Sequence, residues 1–422
     1  MTLNVAEKIN ALDLQLVNTC KHIKVLNALA WPVKAAKKFV DDWHRGQPTL
    51  PDVPLEIGRY KKHIKQLGEV MKACDREDPL QNFLYRTARS YLTAANMLQF
   101  AGTPAFTELS SEIYGTPRDR IWTTSITNLE AAEHFISSTE GFMRACPTHA
   151  ESLCLMAEHV KEELQKPITS FFKNHEVRVV IDPELASKAA AGASQIRIRN
   201  FTCFSPMDIP QLLHHEAFVH TLTMINGREQ TNLKCLSLGA PRTTRTQEGL
   251  ALFAELITNS IDIARLRRIA LRVKAIDLAM QGANFIEVFQ FFLNNNQDET
   301  ESFQSAARIF RGGDVKGGVA FTKDSVYLEG LIYIHTFLHK AIQSGKVNYP
   351  YYLFTGRLTF ADVVELEPYF ESGFIAKPIY LPSWVVNREC LTAFLSYSIF
   401  SNGIDLESVT LNDFSANPRM LD

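Results

Sequence analysis

Residues 214–220 read His-His-Glu-Ala-Phe-Val-His, and residues 247–251 read Gln-Glu-Gly-Leu-Ala. Histidine and glutamate are the side chains that hold zinc in hydrolytic enzymes. Two histidines and one carboxylate leave a fourth coordination position open, which is the catalytic rather than the structural arrangement. The common helical zinc motif spaces its histidines four residues apart, so that both rings share one face. Here His215 and His220 are five residues apart. On a regular α-helix that spacing turns the second ring about 140° from the first. The pair can share a metal only if the helix widens or breaks between them, and a π-bulge does this, often at functional sites. The spacing therefore predicts a distortion near residues 217–219. His214 and His220, six apart, would face opposite ways.

Glu216 adjoins the first histidine and points about 100° away from it on a helix. That suits a general base better than a ligand: it could take a proton from metal-activated water and pass it to the leaving amine. Glu248 lies in Thr-Arg-Thr-Gln-Glu-Gly-Leu-Ala-Leu-Phe-Ala-Glu-Leu-Ile. Thr244 and Gln247 have the spacing of a capping box. This places Glu248 in a first helical turn, with Leu250, Phe253, Ala254 and Ile257 as the buried stripe. Histidine–glutamate neighbours also arise by chance among twelve histidines, and His175-Glu176 is such a pair, with no second histidine at useful spacing. Cys235 lies between the two motifs, where a buried apolar thiol is commoner than a ligand.

The elements that must position these residues are mostly helical. Apolar spacing predicts helices over 4–30, 32–44, 58–75, 79–101, 127–145, 150–173, 262–282, 284–294 and 301–310. The three prolines between Gly46 and Pro54 mark a connecting loop. The histidine helix is expected to begin near Met207-Asp208-Ile209-Pro210 and to end at Asn226-Gly227. Residues 177–182 and 195–200 read as strands; Ile196 and Ile198 alternate with Arg197 and Arg199 in the second. That strand precedes the histidine helix and is the candidate edge for pairing with a substrate backbone. Gly312, Gly313, Gly317 and Gly318 suggest a flexible loop without the phosphate-binding pattern. Residues 325–344 form a further helix carrying Tyr327 and His335, either of which could steady an oxyanion. Cations for a substrate carboxylate are Lys188, Arg199, Arg228, Arg242, Arg245, Arg311 and Lys323. The fold expected is thus α+β and mainly helical: a zinc metallopeptidase-like core, residues 58–422, with a small sheet beside the metal helix, preceded by an N-terminal helical segment, residues 1–57.

The run His-Glu-Ala-Phe-Val-His, then Asn-Gly-Arg-Glu-Gln, then Thr-Arg-Thr-Gln-Glu-Gly-Leu-Ala resembles the bacterial QEGLA-motif family, often labelled flavohaemoglobin expression-modulating proteins. That family is similar to the microtubule-associated tyrosine carboxypeptidases of animals, which remove the C-terminal tyrosine of α-tubulin. Arg-Ile-Phe-Arg-Gly-Gly at 308–313, Phe-Thr-Lys-Asp-Ser-Val-Tyr-Leu-Glu-Gly at 321–330, Leu-Phe-Thr-Gly-Arg-Leu at 353–358 and Lys-Pro-Ile-Tyr-Leu-Pro-Ser-Trp at 377–384 also fit. The resemblance runs from about residue 80 onward. The chain departs from the animal enzymes at Ala217-Phe218-Val219, where they carry a smaller, glycine-containing triplet, and at Gln247, where they have glutamate. The resemblance implies Zn2+ held by His215, His220 and Glu248, with Glu216 as catalytic base. It aligns Lys188 with a basic position before the strand. It also implies a peptide or protein C-terminus as substrate, with an aromatic last residue released. A metal-bound regulatory protein that recognises a partner's C-terminus without cutting it is the alternative.

Composition excludes little. The chain has 422 residues and a formal net charge of -2, which gives no whole-chain case for nucleic acid or membrane binding. There is no apolar run long enough to span a bilayer and no secretory leader pattern. Seven cysteines without paired spacings suggest reduced thiols in a cytoplasmic protein.

Overall fold

The structure, a computed structural model, describes residues 3–55, 57–145, 154–405, 408 and 410. The longest helix of the core, Pro79–Gln99, shows why the chain folds as it does. Asp78 accepts from the Gln81 backbone at 2.9 Å, Pro79 fills the first helical position, and Leu80, Leu84, Tyr91 and Leu98 are buried on the inner face. Against it pack Leu3–Cys20, Lys61–Ala73 and Pro104–Tyr114. Ile9, Leu12 and Leu16 from the first of these share one apolar core with Leu67, Phe83 and the buried faces of the site helices. A second cluster is centred on phenylalanines, Phe39, Phe285, Phe289, Phe303 and Phe310, packed with aliphatic side chains such as Leu271, Ile276 and Val288, with Trp31 and Trp43 against them. No described helix is long and apolar enough to cross a membrane.

The expected helix over 4–30 stops at Cys20 and resumes only as Val25–Ala28. The one expected over 127–145 splits into Asn128–Ser138 and Glu140–Ala145. The start of the one expected over 150–173 lies outside the described residues, and the helix runs Ala157–Phe171.

The sheet has three strands: β1 (Arg178–Asp182), β2 (Ala189–Ala191) and β3 (Gln195–Arg199). Their order is β1-β3-β2, with β1 parallel and β2 antiparallel to β3. This corrects the expectation for residues 195–200. Those residues are the centre of the sheet, paired on both sides, so they offer no edge. The edge beside the histidine helix is β2, whose three alanines carry no alternation to betray it. Thr221 Oγ1, on that helix, donates to the Gly192 carbonyl at 3.0 Å just after β2.

Three smaller expectations also change. The histidine helix runs past Asn226-Gly227 to Glu229. A Cβ on Gly227 would lie 2.4 Å from the Leu236 carbonyl oxygen, so the glycine serves a close approach rather than a helix end. The glycine loop at 312–318 is pinned: Gly318 N–H donates to the Ala279 carbonyl at 2.8 Å and Asp314 N–H to that of Val319 at 3.0 Å. Cys154 and Cys203 pair as a disulfide beside the bridge Leu155–Phe204, against the expectation of thiols throughout; Cys20, Cys74, Cys235 and Cys390 are free, and Cys146 lies outside the described residues.

Candidate metal centre

The histidine helix is three segments in line: Asp208–Leu212 is α-helical, Leu213–Thr221 is π-helical and Leu222–Glu229 returns to α. The π segment contains the distortion expected at 217–219 and extends it by four residues before and two after. In such a turn each N–H reaches back five residues, so side chains five apart come onto one face. The His215 and His220 rings accordingly lie 4.7 Å apart, centre to centre. Leu212, Ala217, Val219, Leu222 and Ile225 anchor the opposite face in the core.

The third residue comes from the glutamate helix, Thr244–Ile257. No capping box forms there. A short turn, Pro241–Thr243, leads into the helix, and the Gln247 side chain instead accepts from Thr223 Oγ1 at 3.0 Å, tying it to the histidine helix. Glu248 therefore sits in the second turn. Leu250, Phe253 and Ala254 are buried as expected, while Ile257 is half-buried. Gly249 explains the glycine of the motif: a Cβ there would lie 2.2 Å from the carbonyl oxygen of Gly330 on the helix Val326–Gln343. Gly330 would in turn meet the Arg245 carbonyl at 2.5 Å. Two glycines let these helices touch backbone to backbone, which brings Glu248 beside Lys323 and Tyr327.

Three donor atoms converge. His215 Nε2 is 3.2 Å from His220 Nε2 and 3.5 Å from Glu248 Oε2, and His220 Nε2 is 3.6 Å from the same oxygen. With metal–ligand bonds of about 2.0–2.1 Å, the edge of a zinc tetrahedron is roughly 3.3 Å. The three spacings match that edge, so the residues fit the ion. Among the described residues this is the only group of three or more His, Cys, Asp or Glu side chains that converges in this way.

The surroundings hold the ligands in place. His215 Nδ1 lies 2.6 Å from Glu255 Oε1, and Arg265 clamps Glu255 through contacts of 2.5 and 2.7 Å. Burial would raise the Glu255 pKa, but Arg265 and His215 outweigh it and keep the carboxylate ionised. It can only accept, so His215 donates through Nδ1 and turns Nε2 toward His220. Burial alone would depress His215 too, yet Glu248 and Glu255 hold its pKa up at about 9. Glu248 is held well below the usual carboxylate range: burial opposes this, and Lys323 and the two histidines prevail. Lys323 Nζ donates to Glu248 Oε1 at 3.0 Å and to the Tyr327 hydroxyl at 3.2 Å.

The other sequence candidates are placed as follows. Glu216 is half-buried on the π segment and lies within electrostatic reach of His215 and Arg357. Tyr327 lies next to Lys323 and also accepts from Arg308 Nη2 at 3.2 Å. His335 is two turns farther along, with Nε2 3.1 Å from Ser398 Oγ and its ring beside Phe253 rather than the triad. Lys188 is paired with Asp208 at 3.0 Å and braces the start of the histidine helix. Arg199 donates to the Ala186 carbonyl and Thr202, Arg245 pairs with Glu329 at 2.9 Å and Arg242 with Asp362 at 2.6 Å, and Arg228 is exposed. Of the cations proposed for a substrate carboxylate, Lys323 alone touches the triad, and it is already engaged by Glu248.

Sequence reasoning missed three groups. Glu255 was legible in principle, since it lies seven residues after Glu248 on the same helix face, within an otherwise apolar stripe. Arg308 comes from a distant helix, Glu299–Phe310, and its one signal was its place in the run Arg-Ile-Phe-Arg-Gly-Gly. Arg357, within Leu-Phe-Thr-Gly-Arg-Leu, lies near Glu216 and Glu248, with its Nε buried and unpartnered.

No curated protein matches the chain. A family model described as microtubule-associated tyrosine carboxypeptidase matches residues 37–403, a span that contains the converging triad and every group around it, and the chain belongs to that family.

Proposed function

We propose that this protein is a zinc-dependent peptidase that releases the last residue, tyrosine or phenylalanine, from the C-terminus of a peptide or protein. The observation that carries this reading is the tetrahedral spacing of His215 Nε2, His220 Nε2 and Glu248 Oε2 with a carboxylate, Glu216, next to the first ligand. When bound, zinc supplies Lewis acidity toward the scissile carbonyl and makes water a competent nucleophile near neutral pH. Glu216 takes the proton from that water and delivers it to the departing amine. Tyr327, with Lys323 and Arg308 donating to its hydroxyl oxygen, directs its own O–H toward the oxygen that gains charge. Glu255 keeps the His215 ring in its working orientation through Nδ1. The free edge of β2 lies alongside, where an extended substrate backbone can add as a strand.

The test is zinc content and turnover in parallel. Wild-type protein carries about one zinc per chain and cleaves peptides ending in Tyr or Phe. Glu216→Gln keeps the zinc and the fold while turnover falls on the order of 10²- to 10⁴-fold. A fully active Glu216→Gln enzyme, or a wild type that takes up no zinc, sinks the reading.

A further inference from the structure

Beside the triad, on the far side of Tyr327, the chain gathers more positive charge than it neutralises. Arg272 comes from the helix Ile263–Met280, Arg308 from the last turn of Glu299–Phe310, and Arg311 from the residue that caps it. One carboxylate, Asp324, lies among them. Arg308 takes both of its oxygens, at 2.5 and 2.9 Å, which leaves Arg272 Nε 3.7 Å away. Among the described residues Arg311 has no carboxylate within ion-pair distance, only the Phe321 ring at 5.3 Å. Arg272 Nε and Arg311 Nε and Nη2 are buried without hydrogen-bond partners. Buried donors left unpaired cost stability in a folded chain, and charged ones cost more. Burial and the neighbouring Arg308 also push Arg272 down to about 9 and Arg311 down to about 10, a strain that an anion relieves.

The position is as telling as the charge. Glu248, Lys323, Tyr327 and Arg308 form an unbroken hydrogen-bonded series that leads from the triad to Arg308, and Arg272 and Arg311 lie within electrostatic reach of Tyr327 and Arg308. The α-carboxylate of a peptide's last residue lies three bonds from the carbonyl carbon that is cut, so an anchor for it must stand about one residue's length from the metal. Planar guanidiniums match a carboxylate with paired, fork-shaped hydrogen bonds. We propose that Arg272 and Arg311, with Arg308 behind them, form the recess that receives the substrate's terminal carboxylate and so confine the enzyme to free C-termini. This rests on the peptidase reading above, which names a C-terminus but no residue that holds it.

The test uses an acetylated alanine pentapeptide ending in tyrosine, either as the free acid or as the C-terminal amide. Binding of both is measured calorimetrically on zinc-loaded Glu216→Gln protein, and cleavage on wild type. The recess predicts that the acid binds roughly 10- to 100-fold tighter than the amide. It also predicts that Arg311→Gln and Arg272→Gln, each added to the Glu216→Gln background, bring the acid within a few-fold of the amide without loss of zinc. Arg311→Lys, which keeps the charge and loses the fork, restores part of the preference. Equal binding of acid and amide overturns the recess, whether or not the wild type cuts either peptide, and needs no arginine variant to fold. A preference that survives both arginine substitutions overturns it too. Acid-selective binding that the arginines control, in a wild type that cleaves nothing, supports the recess and refutes the peptidase.

Discussion

The triad and the aromatic cluster are built by opposite rules. In the cluster, Phe39 meets Phe285, Phe289 and Phe303 at ring-centre distances of 5.1, 4.9 and 5.4 Å, and Trp43 meets Phe289 at 4.8 Å. Nothing there is charged, and beyond the edge-to-face preference of the rings it is volume and shape that decide the packing. Around the triad almost every contact is directional. His215 has one orientation because Glu255 fixes it, Glu255 because Arg265 fixes it, and Glu248 because Lys323 does. The first region supplies stability and tolerates replacement by shape. The second gives up regular helix geometry and buries charge in order to place three atoms.

Substitutions can break that contrast. The largest effect is expected from His215→Ala and Glu248→Ala: zinc falls from about one per chain to none, while the thermal midpoint of metal-free His215→Ala stays close to that of metal-free wild type and that of Glu248→Ala falls, because Lys323 is left buried without its carboxylate. Mass spectrometry under native conditions and calorimetry read both quantities. Phe289→Ala is expected to do the reverse. It empties a fully buried site at a cost of about 3–5 kcal/mol, with zinc stoichiometry at moderate temperature unchanged; zinc lost in step with stability would mean that the two regions are not separable. Glu255→Gln sharpens the comparison from inside the site: zinc affinity falls about 10- to 100-fold, seen by competition with a chelator, with all three ligands intact. An affinity equal to wild type would show that the Nδ1 contact does not orient the ring. Gly249→Ala straddles both regions, since it pushes against the Gly330 backbone and costs roughly 1–3 kcal/mol. Weaker zinc binding alongside that loss would locate the coupling between packing and placement in this one helix crossing.

What the sequence revealed followed the same division. The site was legible where its parts are close in the chain: a five-residue histidine spacing is incompatible with one α-helical face, so the widened turn at Leu213–Thr221 could be anticipated from arithmetic. Helices with wide apolar stripes and the alternating Gln195–Arg199 strand were legible for the same local reason. Pairings across the fold were not. No local rule says that Lys188 meets Asp208 twenty residues on, or that Arg308 and Lys323 both reach Tyr327. The role of β3 was misread because sheet order depends on where β2 returns, and Ala189–Ala191 is too short and uniform to announce itself. Glycines misled: Gly227 suggested a helix end and the 312–318 loop suggested freedom, and the structure uses both for contact.

The widened turn has a consequence for how this chain can change length. A π turn holds one residue more than an α turn while advancing to the same place. The helix on either side therefore keeps its facing, and Leu222, Ile225 and Asn226 still point into the core after it. In most helices the loss of one residue rotates everything downstream by about 100° and scrambles the buried face. Between His215 and His220 a deletion can instead relax the wide turn to an ordinary one, bring the two rings to four-residue spacing and leave the rest of the helix in register. A helix with five-residue spacing and one with four are thus a single indel apart, with both the hydrophobic core and the ligand geometry preserved across the step.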